Sequence, residues 1–482
     1  MTLRDLVRVL RTRDLIVEAP ADDVAVHGLA VDSRAVTPGA LFVAVRGPAV
    51  DGHTFIAQAV AAGAVAVVAE QPVAAGVPVV VVRDGQRAAQ YLADAWYGHP
   101  SGSLQLVGVT GTNGKTTTTI MMRHLLNGGG DAGSIGTLGA FDGMGRAVPS
   151  TAGSLTTPGP LDLQATFRAL VDAGVRRVAM ETSSHALDQG RLDGLSFEAG
   201  IFTNLTRDHL DYHGTMAEYL AAKLRLADLV TSDGVLSVNA DDAAWNTLHS
   251  DARTITWGHA VGAAVRIESV MSVTAGSHFR LTGRFGSADV AIPFPGDFNV
   301  ANATGAAAAA LGLGLPLQTV VERLHSAPQV PGRMEKLVDA PFHVLRDYAH
   351  TPDALERALA TLRPLTQRRL IVVFGCGGDR DVGKRAIMGR VASAGADHVI
   401  VTSDNPRTED PERIIDDIVA GMPSGGWERE SDRSVAIAMA LGLATAGDAV
   451  LLAGKGHETY QVIGTERLPF DERQIVLGLL GR

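Results

Sequence analysis

Residues 108–119 read Gly108-Val-Thr-Gly-Thr-Asn-Gly-Lys-Thr-Thr-Thr-Thr119, and the fold follows from them. An apolar run, Leu104 to Val109, leads in, and a helix-compatible segment, Thr116 to Leu126, leads out. Strand, glycine-rich turn and helix in that order form the layout of a phosphate-binding loop. Gly111 and Gly114 let the backbone approach an anion. The amides that open the helix point at it, and the helix dipole favours its charge. Lys115 is placed to reach terminal phosphates, and the Thr116 hydroxyl suits Mg²⁺. The pattern is not the strict one, because Val109 stands where a Walker A loop carries its first glycine. A ligand-free glycine turn is the plain alternative. The Gly-Lys-Thr triplet in its strand–helix setting argues for ATP.

A chain of 482 residues exceeds one ordinary domain, and three is the natural count. With 46% hydrophobic and 20% charged residues it has the composition of a soluble globular protein. A net charge of −10 argues against a nucleic-acid partner, which needs a basic face. Cys376 is the sole cysteine, so no intrachain disulfide forms, which fits a reducing cytoplasm. Charges at Arg4, Asp5, Arg8, Arg11, Arg13 and Asp14 interrupt any apolar signal core. The apolar tract Val60 to Val82 is broken by Gly63, Glu70, Gln71, Gly76 and Pro78, so it is not expected to span a membrane. The expectation is a cytoplasmic protein, monomeric and without membrane contact.

Residues 1–98 read as a small α/β block: strand Leu41 to Val45, a helix from about Thr54 to Ala62, strands Ala64 to Ala69 and Val77 to Val82. By pattern alone Ser33 and Arg34 are ordinary loop residues. Residues 99–327 form a second block, opened by the phosphate loop. Its strands Val175 to Met180 and Phe197 to Phe202 end in Glu181-Thr-Ser-Ser-His185 and in Thr203-Asn204-Leu-Thr-Arg-Asp-His209. Ligands gather at the carboxyl ends of strands in open α/β sheets. Glu181, His185, Asn204, Asp208 and His209 therefore make a Mg²⁺ site beside the phosphate loop. Thr215-Met-Ala-Glu218 is a capping box that starts a helix running to about Val230. Lys223 falls within one apolar stripe of that helix, while Leu224 offers a competing stripe that turns Lys223 outward. Periodicity leaves both facings open and slightly favours plain snorkelling. Strands are expected at 265–270, 278–281 and 288–293, then an alanine-rich helix to about Gly312 whose Asn299 and Asn302 either cap it or touch a base.

Residues 328–482, opening on the linker Pro328 to Gly332, form a third α/β block. Strands at 342–345, 370–374, 398–402 and 449–452 each end in polar or charged residues, the mark of a doubly wound sheet with one busy edge. Arg380 and Arg407 are forked cations suited to a carboxylate. Either one alone reads as a solvated loop arginine.

Taken together, Gly111-Thr-Asn-Gly-Lys-Thr116, Glu181-Thr-Ser-Ser-His-Ala-Leu187, Asn204-Leu-Thr-Arg-Asp-His209, Gly332-Arg-Met-Glu335, Asp347-Tyr-Ala-His-Thr-Pro352 and Gly454-Lys-Gly-His-Glu458 resemble the landmarks of the Mur ligases of peptidoglycan precursor synthesis. The resemblance spans nearly the whole chain. It implies a three-domain α/β architecture, with a central P-loop ATPase-like parallel sheet and a Rossmann-like C-terminal domain. By resemblance, ATP contacts fall on Gly111, Thr112, Asn113, Gly114, Lys115, Thr116 and Thr117, and on Asn299, Asn302, Arg333 and Asp347. Lys223 matches an N-carboxylated lysine that helps hold Mg²⁺, with Thr116, Glu181 and His209 as ligands or near neighbours; Lys115, Lys223 and His209 take the catalytic roles. Ser33, Thr156, Thr157, Ser183, Gln189 and Arg191 match positions that hold a UDP-muramoyl peptide. Arg380, Asp404, Asn405, Pro406, Arg407, Gly454 and Glu458 match the pocket for an incoming amino acid.

The resemblance is greatest to members that add the third residue of the stem peptide. It implies transfer of meso-2,6-diaminopimelate to UDP-N-acetylmuramoyl-L-alanyl-D-glutamate through an acyl phosphate. The Asp-Asn-Pro-Arg form of the pocket goes with diaminopimelate, whose second carboxylate Arg407 would bind bidentately; lysine lacks that group. A ligase of the same fold that joins glutamate to a folate is the nearest rival, and the Asp-Asn-Pro-Arg and Gly-Lys-Gly-His-Glu segments weigh against it. A P-loop kinase or switch ATPase is the rival from another class.

Overall fold

A computed structural model describes residues 1–47, 50–149 and 155–482. The chain groups into two compact units. One holds residues 1–267, 281–288 and 301–323, and the other holds 268–280, 289–300 and 324–482. The first block read from the sequence and most of the second lie in one unit, while residues 268–280, 289–300 and 324–327 of the second fall in the other.

Within the first unit, a five-stranded sheet carries the N-terminal residues. Its strands run in the spatial order Ile16–Glu18, Val79–Val82, Ala66–Ala69, Ala40–Val43, Gly28–Ala30. All neighbours are parallel except the first pair. Parallel strands are covered on both faces, so successive residues must all be apolar. Leu41, Val43, Ala66, Val68, Val80 and Val82 pack beneath the helices Leu3–Arg11 and Gly85–Trp96. Phe42, Ala44, Val67 and Ala69 pack on the opposite face with Ile56 and Ala59. The expected helix over 54–62 is shorter, Ile56–Ala61, because a tight turn Gly52–Phe55 precedes it.

A second sheet in the same unit positions the phosphate loop. Strand Gln105–Thr110 lies between Arg177–Glu181 and Phe197–Phe202, and both pairings are parallel. Val230–Asn239 and Arg253–Gly258 continue one side, and Ala132–Gly136 the other, again in parallel. Two short antiparallel strands, Gly139–Phe141 and Ala147–Val148, finish that edge. The chain leaves Gln105–Thr110 toward one neighbour and later returns on its other side. That makes the carboxyl end of this strand a topological switch point, where the crevice for a ligand forms. Register aligns the strand ends, with Glu181 opposite Val109 and Phe202 opposite Thr110. The strand Val265–Val273 is longer than the six residues expected, as is Gly276–Gly283 relative to 278–281.

The second unit contains a six-stranded sheet in the order Glu335–Val338, His343–Asp347, Ala449–Ala453, Leu370–Phe374, His398–Val401, Trp427–Arg429. Only the pair at the Glu335 edge is antiparallel. One face, with Leu345, Val372, Phe374, Val399, Val401 and Leu451, is covered by Pro352–Leu362, Gly383–Gly395 and Pro411–Val419. The other, with Val344, Ile371, Val373, Ile400, Val450 and Leu452, is covered by Arg433–Leu443 and Glu472–Leu479. A separate hairpin, Tyr460–Ile463 with Glu466–Pro469, follows the Gly454–Glu458 loop.

Candidate active site

The phosphate loop is built as its sequence demands. Gly111 has φ +143° and Gly114 φ +85°, conformations that disfavour any side chain. A Cβ at Gly111 would sit 1.9 Å from Thr203 Oγ1, and one at Gly114 2.1 Å from Asn302 Oδ1. The loop backbone is clamped from the neighbouring strand end. Thr112 N donates to Asn204 O (2.7 Å), Asn113 N to Asn204 Oδ1 (3.0 Å), and Asn204 Nδ2 to Asn113 O (3.1 Å). Asn204, expected among the cation donors, therefore braces the loop instead. The Thr112 hydroxyl meets Tyr219 Oη at 3.2 Å. Helix Lys115–Leu126 starts directly after Gly114, with Thr116 and Thr117 buried in its first turn.

Lys115 Nζ donates to the carbonyls of Gly111 (2.9 Å) and Thr112 (2.8 Å). Lys223 Nζ donates to the same Gly111 carbonyl at 2.7 Å and lies 4.4 Å from the Tyr219 ring centre. Periodicity left the facing of Lys223 undecided; the structure turns it inward, at 1% exposure. Its helix, Met216–Asp228, begins at the expected capping box of Thr215 and Glu218. Burial drives the Lys223 pKa well below that of a free lysine, and the Lys115 charge adds to this against the pull of Asp208. The amine is therefore held toward its neutral, nucleophilic form.

Glu181 is buried at the end of its strand. Its carboxylate accepts from Thr137 N (2.8 Å) and Thr137 Oγ1 (3.2 Å). Thr137 Oγ1 lies 3.3 Å from Thr156 Oγ1. Thr157 Oγ1 donates to Glu181 O (2.8 Å) and accepts from Ser183 N (3.0 Å). Arg191 reaches the Thr157 carbonyl (3.1 Å) and, through Nε, Gln189 Oε1 (2.9 Å). The structure thus brings Thr156, Thr157, Ser183, Gln189 and Arg191 into one polar network beside Glu181. His185 packs edge-on to His209, ring centres 4.8 Å apart. Burial, then the neighbouring His209 and His213, push the His185 imidazole down to about 4. Burial, with Lys115 and Lys223 nearby, also lowers His209, against Asp208. Among the described residues no three His, Cys, Asp or Glu side chains converge as a metal cluster. The expected set holds only two of that type, Glu181 and His209.

Ser33, an ordinary loop residue by pattern, is buried and donates to Gln58 Oε1 at 3.3 Å. Together with Arg34, Phe42, Phe55, Gln86 and Pro160 it lines a cavity of about 570 Å³. That volume suits a drug-sized or nucleotide-sized ligand.

In the second unit the predicted residues fall in two neighbouring groups. Asp347 Oδ2 accepts from Met334 N at 2.7 Å, and Arg333 lies over the Tyr348 ring at 4.7 Å. Burial pushes the Asp347 carboxyl up to about 6, against Arg333. Asn299 Nδ2 donates to Pro295 O at 2.9 Å. The second group lies at the ends of strands His398–Val401 and Ala449–Ala453. Asn405 Nδ2 donates to Glu458 Oε2 (2.9 Å), and Lys455 Nζ bridges Asn405 Oδ1 (3.0 Å) and Glu458 Oε2 (3.3 Å). Pro406 is buried, and Asp404 lies against Gly454, where a Cβ would come within 2.7 Å of its Oδ2. Arg407 has φ +52°, and its Nη1 donates to Gly378 O at 2.7 Å. Arg380 is exposed, and its side chain, like that of Arg407, lies close to Gly377.

Sequence reasoning missed three buried charges of this group: Lys455, Arg433 and Glu472. Lys455 sits within a quoted motif, yet nothing in spacing told it from a surface lysine. Arg433 and Glu472 are each the first residue of a helix, where a charge reads as a solvated end.

Three family profiles match the chain: Mur ligase family, catalytic domain, over residues 25–97; Mur ligase middle domain over 109–310; and Mur ligase, glutamate ligase domain, over 332–456. A UDP-N-acetylmuramoyl-L-alanyl-D-glutamate--2,6-diaminopimelate ligase of Geobacillus kaustophilus is 47% identical over 459 residues, 93% of each chain. One of the same name from Synechococcus elongatus is 44% identical over 98% of each. A solved structure of a ligase with that name is 36% identical, covers 95% of both chains and superposes with a TM-score of 0.66. The phosphate loop at the switch point, the three parallel-rich sheets and these near full-length matches agree, and the chain belongs to the Mur ligase family.

Proposed function

We propose that the protein is an ATP-dependent ligase that adds meso-2,6-diaminopimelate to UDP-N-acetylmuramoyl-L-alanyl-D-glutamate in peptidoglycan precursor synthesis. The near full-length identity to ligases of that name carries the reading. The Asp404-Asn-Pro-Arg407 loop, whose guanidinium lies beside Gly377 and Gly378, supports the choice of amine. The domains are residues 1–98 for the UDP-muramoyl substrate, 99–327 for ATP and 328–482 for the amino acid. The enzyme works as a monomer in the cytoplasm; no described helix is long and apolar enough to cross a membrane.

The substrate carboxylate attacks the γ-phosphorus of ATP, giving an acyl phosphate and ADP. The neutral amine of the amino acid then attacks the acyl carbon, and phosphate leaves. Lys115 neutralises charge that develops on the phosphoryl oxygens, beside the amides that open its helix. Asn204 holds the loop in shape for this. Asn299, Asn302, Arg333 and Asp347 serve the nucleotide, and Ser33, Thr156, Thr157, Ser183, Gln189 and Arg191 the muramoyl peptide. Arg380, Arg407, Asp404, Asn405 and Glu458 orient the diamino acid.

The donor set fits Mg²⁺. Thr116 and Glu181 offer oxygens, His209 a largely neutral imidazole, and the buried Lys223 amine can attack carbon dioxide to become a carbamate, releasing one proton. The carbamate would bring one negative charge, shared by two oxygens, to a place where the Lys115 ammonium and the Lys223 amine both donate to one carbonyl. When bound, the ion offsets charge on the transferred phosphoryl group.

The test offers UDP-muramoyl dipeptide and ATP with diaminopimelate, lysine or ornithine separately, and follows ADP. Turnover is expected with diaminopimelate. Faster turnover with lysine would reject the amine assigned, and ADP release without any amino acid would favour a kinase or ATPase.

A further inference from the structure

Arg433 and Glu472 form an ion pair with both side chains at 0% exposure, Nε to Oε1 at 2.8 Å. The pair lies on the sheet face covered by Arg433–Leu443 and Glu472–Leu479, opposite the helix Pro411–Val419 that follows the Asp404–Arg407 loop. Arg433 is the first residue of helix Arg433–Leu443, and Glu472 the first of Glu472–Leu479. The remaining nitrogens of Arg433 do not turn to solvent. Nη2 donates to Ala453 O at 2.8 Å and Nη1 to Ser403 O at 3.4 Å. These carbonyls belong to the peptide groups that carry the amides of Gly454 and Asp404. They end two strands that are not neighbours, since Leu370–Phe374 lies between them. One guanidinium thus spans a whole strand to tie the two loops that bear Asn405, Arg407 and Glu458.

A buried ion pair is a poor stabiliser compared with apolar side chains of the same volume. What it supplies is direction. The guanidinium is planar, and its donors leave at fixed angles, so a carboxylate behind it sets where the two carbonyls must lie. The tolerance between the loops is small, because Asp404 Oδ2 already occupies space next to Gly454 Cα. Glu472 holds the fork from behind, and neither residue lies among the groups that meet the diamino acid.

We infer that Arg433 and Glu472 are positioning residues for the amino-acid pocket: they set the spacing of the Asp404–Arg407 and Gly454–Glu458 loops and so the affinity for the incoming diamino acid. The inference rests on the assignment of that pocket to the amine substrate.

The test uses the full-length enzyme with two variants. Glu472→Gln leaves the fork without its carboxylate. Arg433→Met/Glu472→Leu replaces the pair by apolar side chains, which keeps the core filled and guards against loss of the fold. Both are expected to raise KM for the diamino acid about tenfold, while KM for ATP and for the UDP-linked substrate stays within about twofold. Amide hydrogen exchange should quicken at residues 403–408 and 454–458 and stay unchanged at 111–117. A folded double variant with wild-type KM for the amine, or with all three KM values raised together, would overturn the inference. Should wild-type enzyme turn over no diamino acid at all, the functional reading fails. Exchange then decides alone: quickening confined to those two loops keeps the brace, and unchanged or uniformly faster exchange removes it.

Discussion

Lys223 and Asp347 are the residues whose ordinary charge the protein opposes most directly. A buried ammonium next to a second lysine is costly, so the neutral amine is favoured, and that is the form that reacts with carbon dioxide. Lys223→Ala should lower turnover about a hundredfold or more, with no recovery in added bicarbonate. Labelled carbon dioxide should give a carbamate carbon resonance in the wild-type protein that this variant lacks. Near-normal turnover of Lys223→Ala would end its proposed role. For Asp347 the folded pKa of about 6 lies above the unfolded value of 3.8. Between those values the folded protein holds a proton that the unfolded chain has released. Stability therefore falls as pH rises from about 4 to 6, by up to about 3 kcal/mol. Denaturant titrations over that range should find this slope in the wild type and a flatter one in Asp347→Asn.

Among the elements, the turn after strand Ala449–Ala453 has no room for a side chain at its glycine. Gly454 has φ +112°, and any Cβ there meets Asp404. Gly454→Ala should cost about 2 kcal/mol of stability in chemical unfolding and raise KM for the amine. An unchanged KM would separate this turn from the pocket. The elements that carry the site were legible for a local reason: apolar runs such as Leu370–Phe374 and Ala449–Ala453 read as covered strands, and the loops after them hold the polar residues. The capping box at Thr215 fixed its helix in the same way. Facing was not legible for Lys223, because Leu220 and Leu224 supply two apolar stripes and tertiary packing chooses between them. The bracing role of Asn204 and the Arg433–Glu472 pair was hidden for a related reason. Both depend on strands brought side by side from distant parts of the chain, which no local spacing encodes. The cavity around Ser33 was likewise invisible, since its lining gathers residues from 31 to 160.

At the scale of the molecule, a ligand that binds the folded chain alone must stabilise it. An ATP analogue at about a hundred times its Kd should add about 2.7 kcal/mol, read as a rise in the unfolding midpoint. Lys115→Ala should lose most of that rise; an equal rise in the variant would place nucleotide elsewhere. The in-step register of the strands around Gln105–Thr110 limits how this chain can vary in length. One residue removed from Arg177–Glu181 would draw Glu181 back by about 3.3 Å and exchange its two faces. At the opposite rim, Asp172, Ala173 and Gly174 are exposed between helix Pro160–Asp172 and that strand. Extra residues there lengthen only a surface connection, where each doubling costs about 0.6 kcal/mol. That rim is thus the place to splice in an epitope tag or fluorophore while leaving the reacting end of the sheet in step.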